Sequence, residues 1–422
     1  MKRVLLLMTV NTYRASAYLM AAERAGLTVT VATDRPDVLA DLNPGGSLTL
    51  DFFDPEKAAA EIKSFADVYP IDAIVAVDDD TVITGAMAAE ALGLPSHTVE
   101  AAHATRSKYE LRKILDEEGL PSPAFRLVGA DDNPVSIARS VSYPCILKPT
   151  FLAASQGVIR ANDEKEFAAA YRRIGKIMED SGVKERGGFE ADSLLVEEYI
   201  PGREVALEGL VAGGALHVLA IFDKPDSMEG PFFEETIYVT PSRLPEETQN
   251  EIIKAVRRAA RAIGLKDGPV HAELRVNQGG VWVLDVASRT IGGKCSGALE
   301  FGDGVALEDL ILTKALGDEP PSIARSGAAS GVMMIPIPGR GILRHVDGMA
   351  AALAAPGVTG IDISIHIGGL VVPLPEGNRY LGFIFAKGET PDEAEAALRR
   401  AHAQLKFRLD PDEGAEPEGE AV

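Results

Sequence analysis

The chain has 422 residues, enough for two to four domains with well-buried cores. Its 46% hydrophobic and 25% charged residues are those of an ordinary globular enzyme. The 63 acidic residues outnumber the 42 Lys plus Arg, and the net charge of −21 argues against nonspecific affinity for nucleic acid or anionic membrane.

Residues 4–10 read as a strand, 13–25 as a helix closed by Gly26, and 27–33 as a second strand. The opening MKRVLLLMTV is apolar like the start of a signal peptide, but the run stops at Asn11 without a small-residue cleavage site, so a buried first strand is expected. No stretch approaches the apolar length needed to span a bilayer. Cys145 and Cys295 lie far apart without metal-type spacing, which suits a reducing cytoplasm. Residues 71–77 give another strand, ending in Asp78, Asp79 and Asp80, and the next helix runs to Gly93. Alternating strands and helices imply a parallel sheet with ligands near the carboxyl ends of its strands. The aspartate triplet at such an end either faces substrate or caps the following helix, and capping is the simpler reading.

A helix over 105–118 carries Leu111, Ile114 and Leu115 on one stripe and stops at Gly119, with Pro121 and Pro123 marking a domain border. A small α+β unit follows: the strand CILKP at 145–149, the loop FLAASQGV at 151–158, a helix over 164–178 and the strand LLVEEYI at 194–200. Pro201 and Gly202 then turn the chain into a strand over 204–211. Lys148, leaving a strand beside a loop of small residues, suits a nucleotide's phosphates, the ammonium acting as a point charge and loop N–H groups as donors. Backbone at Glu197, Glu198, Tyr199 and Ile200 can pair with an adenine edge, with Glu204 accepting from ribose hydroxyls; an ordinary acidic hairpin is the alternative.

An amphipathic helix through Ile252, Val256, Ala260 and Ile263 ends at Gly264, just before VHAELRVNQGGVWVLDVASRTIGG at 270–293. Two strand patterns there each carry an acid, Glu273 and Asp285. A loop of three or five residues would set them directly opposite, a loop of two or four on opposite faces. Facing carboxylates repel unless a cation lies between them, and hard divalent ions are held by one or two carboxylates plus substrate phosphates. Arg289, Gly292 and Gly293 follow and can offer a guanidinium and backbone N–H groups to phosphate oxygens. After Pro320, strands at 330–337, 360–367 and 380–386 and helices at 347–354 and 391–405 form a last α+β domain. Six acids between residues 410 and 420, with no base, mark a disordered tail.

The order of these pieces resembles the ATP-grasp superfamily over nearly the whole chain: SKYELRKILDEEGLPSP with Lys108, ILKP with Lys148, LVEEYIPGRE, HAEL with Glu273, and LDVASR with Asp285 and Arg289. FFEETIYVTPSRLP, VASRTIGG, SGVMMIPIPGRG and YLGFIFAKGETP look most like the carboxylate-amine ligases that include the L-amino acid ligases, which make dipeptides. The loop 151–158 has fewer glycines than many relatives, Asp285 stands for the usual Glu, and Ala287 for a metal-binding Asn.

The resemblance implies a mixed α/β and α+β multidomain fold. Its parts would be an N-terminal parallel-sheet domain (1–104), a linking helical segment (105–140), a lid (141–210), a central antiparallel-sheet domain with the metal site (211–320), a C-terminal α+β domain (321–408) and the tail (409–422). Lys108 and Lys148 would contact phosphates of ATP as co-substrate, Glu197 to Ile200 the adenine, and Glu204 the ribose. Glu273 and Asp285 would ligate Mg²⁺, or Mn²⁺, and Arg289 would steady the transferring phosphoryl group, with Glu273 and Lys148 also essential to catalysis. Glu235 and His271 would lie near the substrate amine, beside Arg289, Gly292 and Gly293. The expected reaction is ADP-forming amide synthesis between amino acids, in the cytoplasm, on small-molecule carboxylate and amine substrates. No nucleic-acid or membrane partner is implied, and a homodimer is left open. A ligase or carboxylase acting on a non-amino-acid acid, and a non-catalytic ATP-binding regulator, are the alternatives.

Overall fold

The computed structural model describes residues 1–37, 40–320 and 322–412. A parallel four-stranded sheet opens the chain, in the order Ser47–Thr49, Thr28–Thr33, Arg3–Leu7 and Ala73–Ala76. Val4 to Leu7 are fully buried because helices cover both faces of this sheet, which is why the strand reads as a continuous apolar run. The strand order reverses at Arg3–Leu7, and a crevice opens at the carboxyl ends of such strands. Thr9, Asp34, Asp51 and Asp78 to Asp80 line it.

The expected single helix over 105–118 is two helices, Val99–Arg106 and Lys108–Glu117. Ser107 between them is extended and caps the second by accepting from Glu110 N at 3.4 Å, the role for which serine is favoured. The break puts Lys108 on the first turn, where its N–H bonds Thr150 O at 2.8 Å instead of a preceding turn.

The next unit is a four-stranded sheet in the order Phe125–Gly129, Ser193–Glu198, Cys145–Pro149 and Ile159–Ala161. Glu164–Met178 packs on it through Phe167, Tyr171 and Ile174. The strand Phe125–Gly129 lies in the segment expected to be a helical link, so the sheet begins earlier than the sequence pattern indicates. Its pairing with Ser193–Glu198 across a long stretch of chain is a non-local contact that local periodicity does not report.

An eight-stranded sheet forms the centre: Gly280–Ala287, Gly268–Asn277, Arg203–Ala212, Ala215–Asp223, Ile237–Thr240, Ala329–Met334, Gly382–Gly388 and Val358–Ile363 in that order. The last three strands come from the final segment, which therefore extends the central sheet instead of building a separate one. Gly341–Asp347 pairs with Leu370–Val371 and Lys406–Asp410 in a small third sheet. The acidic tail was expected from residue 409, but Asp410 closes a strand and pairs with Arg344 at 2.7 Å, a partner that offsets its charge. Residues 413–422 of that expected tail lie outside the described residues. Among the described residues no helix is long and apolar enough to cross a membrane.

His97 fastens the first unit to the central sheet. Its Nδ1 accepts from Lys266 N at 3.1 Å and its Nε2 faces Pro269 O at 2.9 Å, so the ring is neutral with the proton on Nε2. Burial, only partly offset by that carbonyl, pushes its pKa down to about 4. Above pH 6.5 the ring is neutral folded or unfolded. Below it the unfolded chain takes up a proton that the folded chain refuses, and stability is lost as pH falls toward 4, by about 3 kcal/mol in full. Unfolding free energies of wild type and His97→Gln should therefore converge as pH drops from 6.5 to 4; a constant gap would contradict this.

Candidate active site

Every candidate site residue named from the sequence lines one cleft of about 910 Å³, between the parallel sheet, the lid sheet and the central sheet. The hairpin at its floor turns through two residues, Gln278 and Gly279, since Asn277 pairs with Gly280. By the two-residue rule Glu273 and Asp285 would point to opposite faces, yet they are directly paired. A β-bulge after Glu273 inserts Leu284 as an extra residue and restores the parity. Arg112, one helical turn beyond Lys108, is fully buried and donates its Nη2 to the Leu284 carbonyl, holding the bulge.

One end of the cleft is cationic. Lys148 Nζ lies 2.7 Å from Glu197 Oε2, and Arg112 Nε 2.7 Å from Glu197 Oε1. Lys108 Nζ donates to Leu152 O at 2.6 Å and stands 3.8 Å from Asp285 Oδ2. Three cations against two carboxylates leave one net positive charge facing the cleft. Burial lowers the Lys148 pKa, and Arg112 and Lys108 lower it further against the pull of Glu197 and Asp285. Burial alone would raise the pKa of Asp285, but Lys108, Lys148 and Arg112 hold it below the usual range. Glu197 is lowered likewise, Arg112 and Lys148 outweighing burial. Glu198, Tyr199 and Ile200 continue along the wall, with the Arg160 and Arg275 guanidiniums 4.1 and 5.1 Å from the centre of the Tyr199 ring.

The other end is anionic. Lys224 Nζ contacts Glu204 Oε1 at 2.8 Å, Glu235 Oε1 at 2.6 Å and Glu273 Oε1 at 3.0 Å. Oxygens of these three carboxylates lie within 4.8 Å of one another. Arg275 Nε takes the second oxygen of Glu204 at 3.0 Å, so both its oxygens already face cations. Three acids against two bases leave one net negative charge. Burial would lower the Lys224 pKa, but the three carboxylates drive it well above normal; Glu235 is correspondingly depressed by Lys224. Asp285 is not in this group of three: it pairs with Glu273 across the hairpin and faces Lys108, so the two acids border the same cleft, and carboxylates so placed have the chemistry to hold a hard divalent cation.

His271 sits beside this cluster, its Nδ1 3.1 Å from Glu208 Oε2 and its Nε2 3.7 Å from Glu273 Oε1. Glu208 is fully buried and accepts from Ile291 N, which pins the following loop. In that loop Arg289 Nε pairs with Asp79 at 3.0 Å. Gly293 has φ 59°, and a Cβ there would come within 2.8 Å of the Phe383 ring, so this turn against the last domain requires glycine.

The aspartate triplet does more than cap. Asp78 receives Thr9 N at 2.9 Å and pairs with Arg14 at 3.1 Å; Asp80 pairs with Arg106 at 2.9 Å and Arg186 at 2.7 Å. Burial opposes ionisation of Asp79, but Arg289 and Arg106 hold its pKa well below the carboxylate range. Each carboxylate leaves the strand end in a different direction and meets a different guanidinium, a result that helix polarity alone does not anticipate.

Two central residues were not legible as site residues. Lys224 follows the strand Ala215–Asp223; extending the hairpin from the Gly213–Gly214 turn would set it across from Arg203, and it is a β-bulge between Val218 and Ala220 that shifts the register and brings it opposite Glu204. Arg112 carries no such signal, because a buried arginine on an apolar helix stripe reads as a surface charge.

Known proteins resemble this chain over most of its length. Residues 19–96 match the ATP-grasp N-terminal domain, 141–298 the ATP-grasp domain and 333–410 the L-amino acid ligase C-terminal domain 2. The L-amino acid ligase of Bacillus licheniformis superposes with a TM-score of 0.81 at 27% identity, covering 97% of this chain and 99% of that one. The alanine–anticapsin ligase of Bacillus amyloliquefaciens is 28% identical over 233 residues, 52% of this chain and 48% of that protein. A D-alanine–D-alanine ligase of Bordetella petrii is 26% identical over 194 residues, 44% of this chain and 55% of its own length. The chain thus spans about half the length of the curated relatives it matches. Phosphoribosylglycinamide synthetase of Anaerococcus prevotii, at 16% identity and a TM-score of 0.67, shares the fold. The chain carries ATP-grasp N-terminal and ATP-grasp domains followed by an L-amino acid ligase C-terminal domain 2.

Proposed function

We propose that the protein is an ATP-dependent carboxylate-amine ligase that forms an amide between amino acids through an acyl phosphate, releasing ADP and phosphate. The observation that carries this reading is the polarity of this cleft: a cationic end at Lys108, Lys148 and Arg112 meets a carboxylate end at Glu273, across the hairpin that also holds Asp285. The likeness to the L-amino acid ligase of Bacillus licheniformis over nearly the whole chain supports the choice of amino acids.

In this reading a substrate carboxylate oxygen attacks the γ-phosphorus of ATP, and an amine then attacks the acyl carbon and expels phosphate. Lys108 and Lys148 face the phosphates, and the backbone of Glu197 to Ile200 borders the adenine, with Glu204 toward the ribose. Glu273 and Asp285 would hold Mg²⁺ or Mn²⁺, which supplies positive charge to phosphate oxygens when bound. Arg289, fixed by Asp79, stabilises charge on the transferring phosphoryl group. Glu235 and His271, with the Gly292–Gly293 turn, border the amine. Two buried free thiols suit a reducing cytoplasm.

The test is a screen of amino-acid pairs for ADP and phosphate release, with mass detection of the product. Amide formed from paired amino acids is the expected result. Turnover only with another class of acid, or tight ATP binding with no ADP release, would overturn it.

A further inference from the structure

The loop 151–158 and the helix behind it are tied to the last domain at one place. Gly157 N donates to Pro375 O at 2.9 Å, and Gln156 Nε2 to Glu376 O at 3.0 Å. Arg173, on the helix Glu164–Met178, forks onto both Glu376 oxygens at 2.7 and 3.0 Å. Both side chains of this pair are more than a third exposed, so solvent screens it and it contributes little to fold stability. A two-pronged guanidinium–carboxylate contact is nonetheless directional, and what it fixes is the position of the loop.

That position needs fixing. Ala154 and Ser155, both lining the cleft, adopt left-handed φ of 54° and 56°, which side chains other than glycine resist. Such a loop relaxes unless its flanks are held. On one flank Lys108 and Arg106 bind the carbonyls of Leu152 and Phe151; on the other stand the contacts to Pro375 and Glu376. Four residues beyond Glu376, Tyr380 enters the reaction end of the cleft and donates to Glu235 Oε2 at 3.1 Å. The segment between Glu376 and Tyr380 therefore joins the loop over the lysines to the carboxylate cluster.

We propose that Glu376 is a positioning residue, whose fork with Arg173 seats the loop 151–158 over the cleft and thereby couples each ATP consumed to one amide formed. The inference rests on the ligase reading above. With the loop unseated, water replaces the amine: its oxygen bonds to the acyl carbon, the bond from that carbon to the phosphate oxygen breaks, and carboxylate and phosphate are released. The net result is ATP hydrolysis with the acid regenerated.

The experiment measures ADP and amide in the same reactions for wild type, Glu376→Gln, Glu376→Arg, Arg173→Glu and the swapped double variant Arg173→Glu with Glu376→Arg. The ADP-to-amide ratio should rise by about two- to fivefold in each single variant and return toward the wild-type value in the swap. All the variants keep the main-chain oxygen that Gln156 uses, and Glu376→Gln is the mildest change. A wild-type ratio in the single variants, or a swap that fails to restore it, overturns the proposal. A wild type that makes no amino-acid-dependent ADP strikes the ligase reading itself, a result distinguishable from either.

Discussion

Glu273→Gln should lower ATP-dependent amide formation by at least about 100-fold, with the fold intact. The substitution keeps shape and removes one negative charge from the cluster around Lys224, where Glu204 and Glu235 remain at 2.8 and 2.6 Å to hold the ammonium. Glu273 is also the most accessible of the three, with its side chain 26% exposed, so losing its charge leaves no deeply buried ion alone. What disappears is the hard anionic oxygen opposite Asp285. Raising Mg²⁺ or Mn²⁺ should recover part of the rate, because the remaining carboxylates still attract a divalent ion. Steady-state rates at several metal concentrations, beside a melting curve, check this; wild-type rates would remove Glu273 from the chemistry.

Lys148→Ala should have an effect of similar or larger size, about 1,000-fold on kcat/KM for ATP. The ammonium is buried in the wall of the cationic end, and no other lysine of the cleft shares its carboxylate partner. Its removal also leaves Glu197 facing Arg112 alone, which turns a site with one net positive charge into a neutral one. Phosphate oxygens entering that site would then meet no excess of positive charge in a low-dielectric wall. Because Arg112 still neutralises Glu197, the domain should stay folded, and titration with a fluorescent ATP analogue separates lost binding from lost structure. Unchanged nucleotide affinity together with unchanged turnover would reject the assignment.

Sequence pattern carried the short-range part of this molecule. The strand Cys145–Pro149 and the helix Glu164–Met178 coincide with their expected limits, because prolines bound the first and an acidic N-terminal turn with a steady apolar stripe marks the second. Gly213 and Gly214 signal the turn before the strand Ala215–Asp223, but the bulge between Val218 and Ala220 that brings Lys224 opposite Glu204 has no local signature. The Ser107 break was hidden because helical periodicity runs through it; only the bond from Lys108 N to Thr150 O shows why the chain bends there. The facing of Glu273 and Asp285 depended on a turn length that sequence left open, and it is a bulge, not the turn, that decides it. Charge pairs such as Asp79 with Arg289 join segments far apart in sequence, and no local rule foresees them.

The last three strands of the eight-stranded sheet have a consequence for how such proteins are cut and recombined. Ile237 to Thr240 bond to Ser330 to Met333 residue by residue, so the ATP-grasp domain and the C-terminal domain share one uninterrupted hydrogen-bond ladder. Severing the chain between them would strip a buried apolar strand of its neighbour and leave a bare edge that invites aggregation. Chimeras that borrow a foreign C-terminal half must therefore keep this seam in register, since a slip of one position would rotate Tyr238, and with it the hydroxyl that bonds Glu235, out of the cleft.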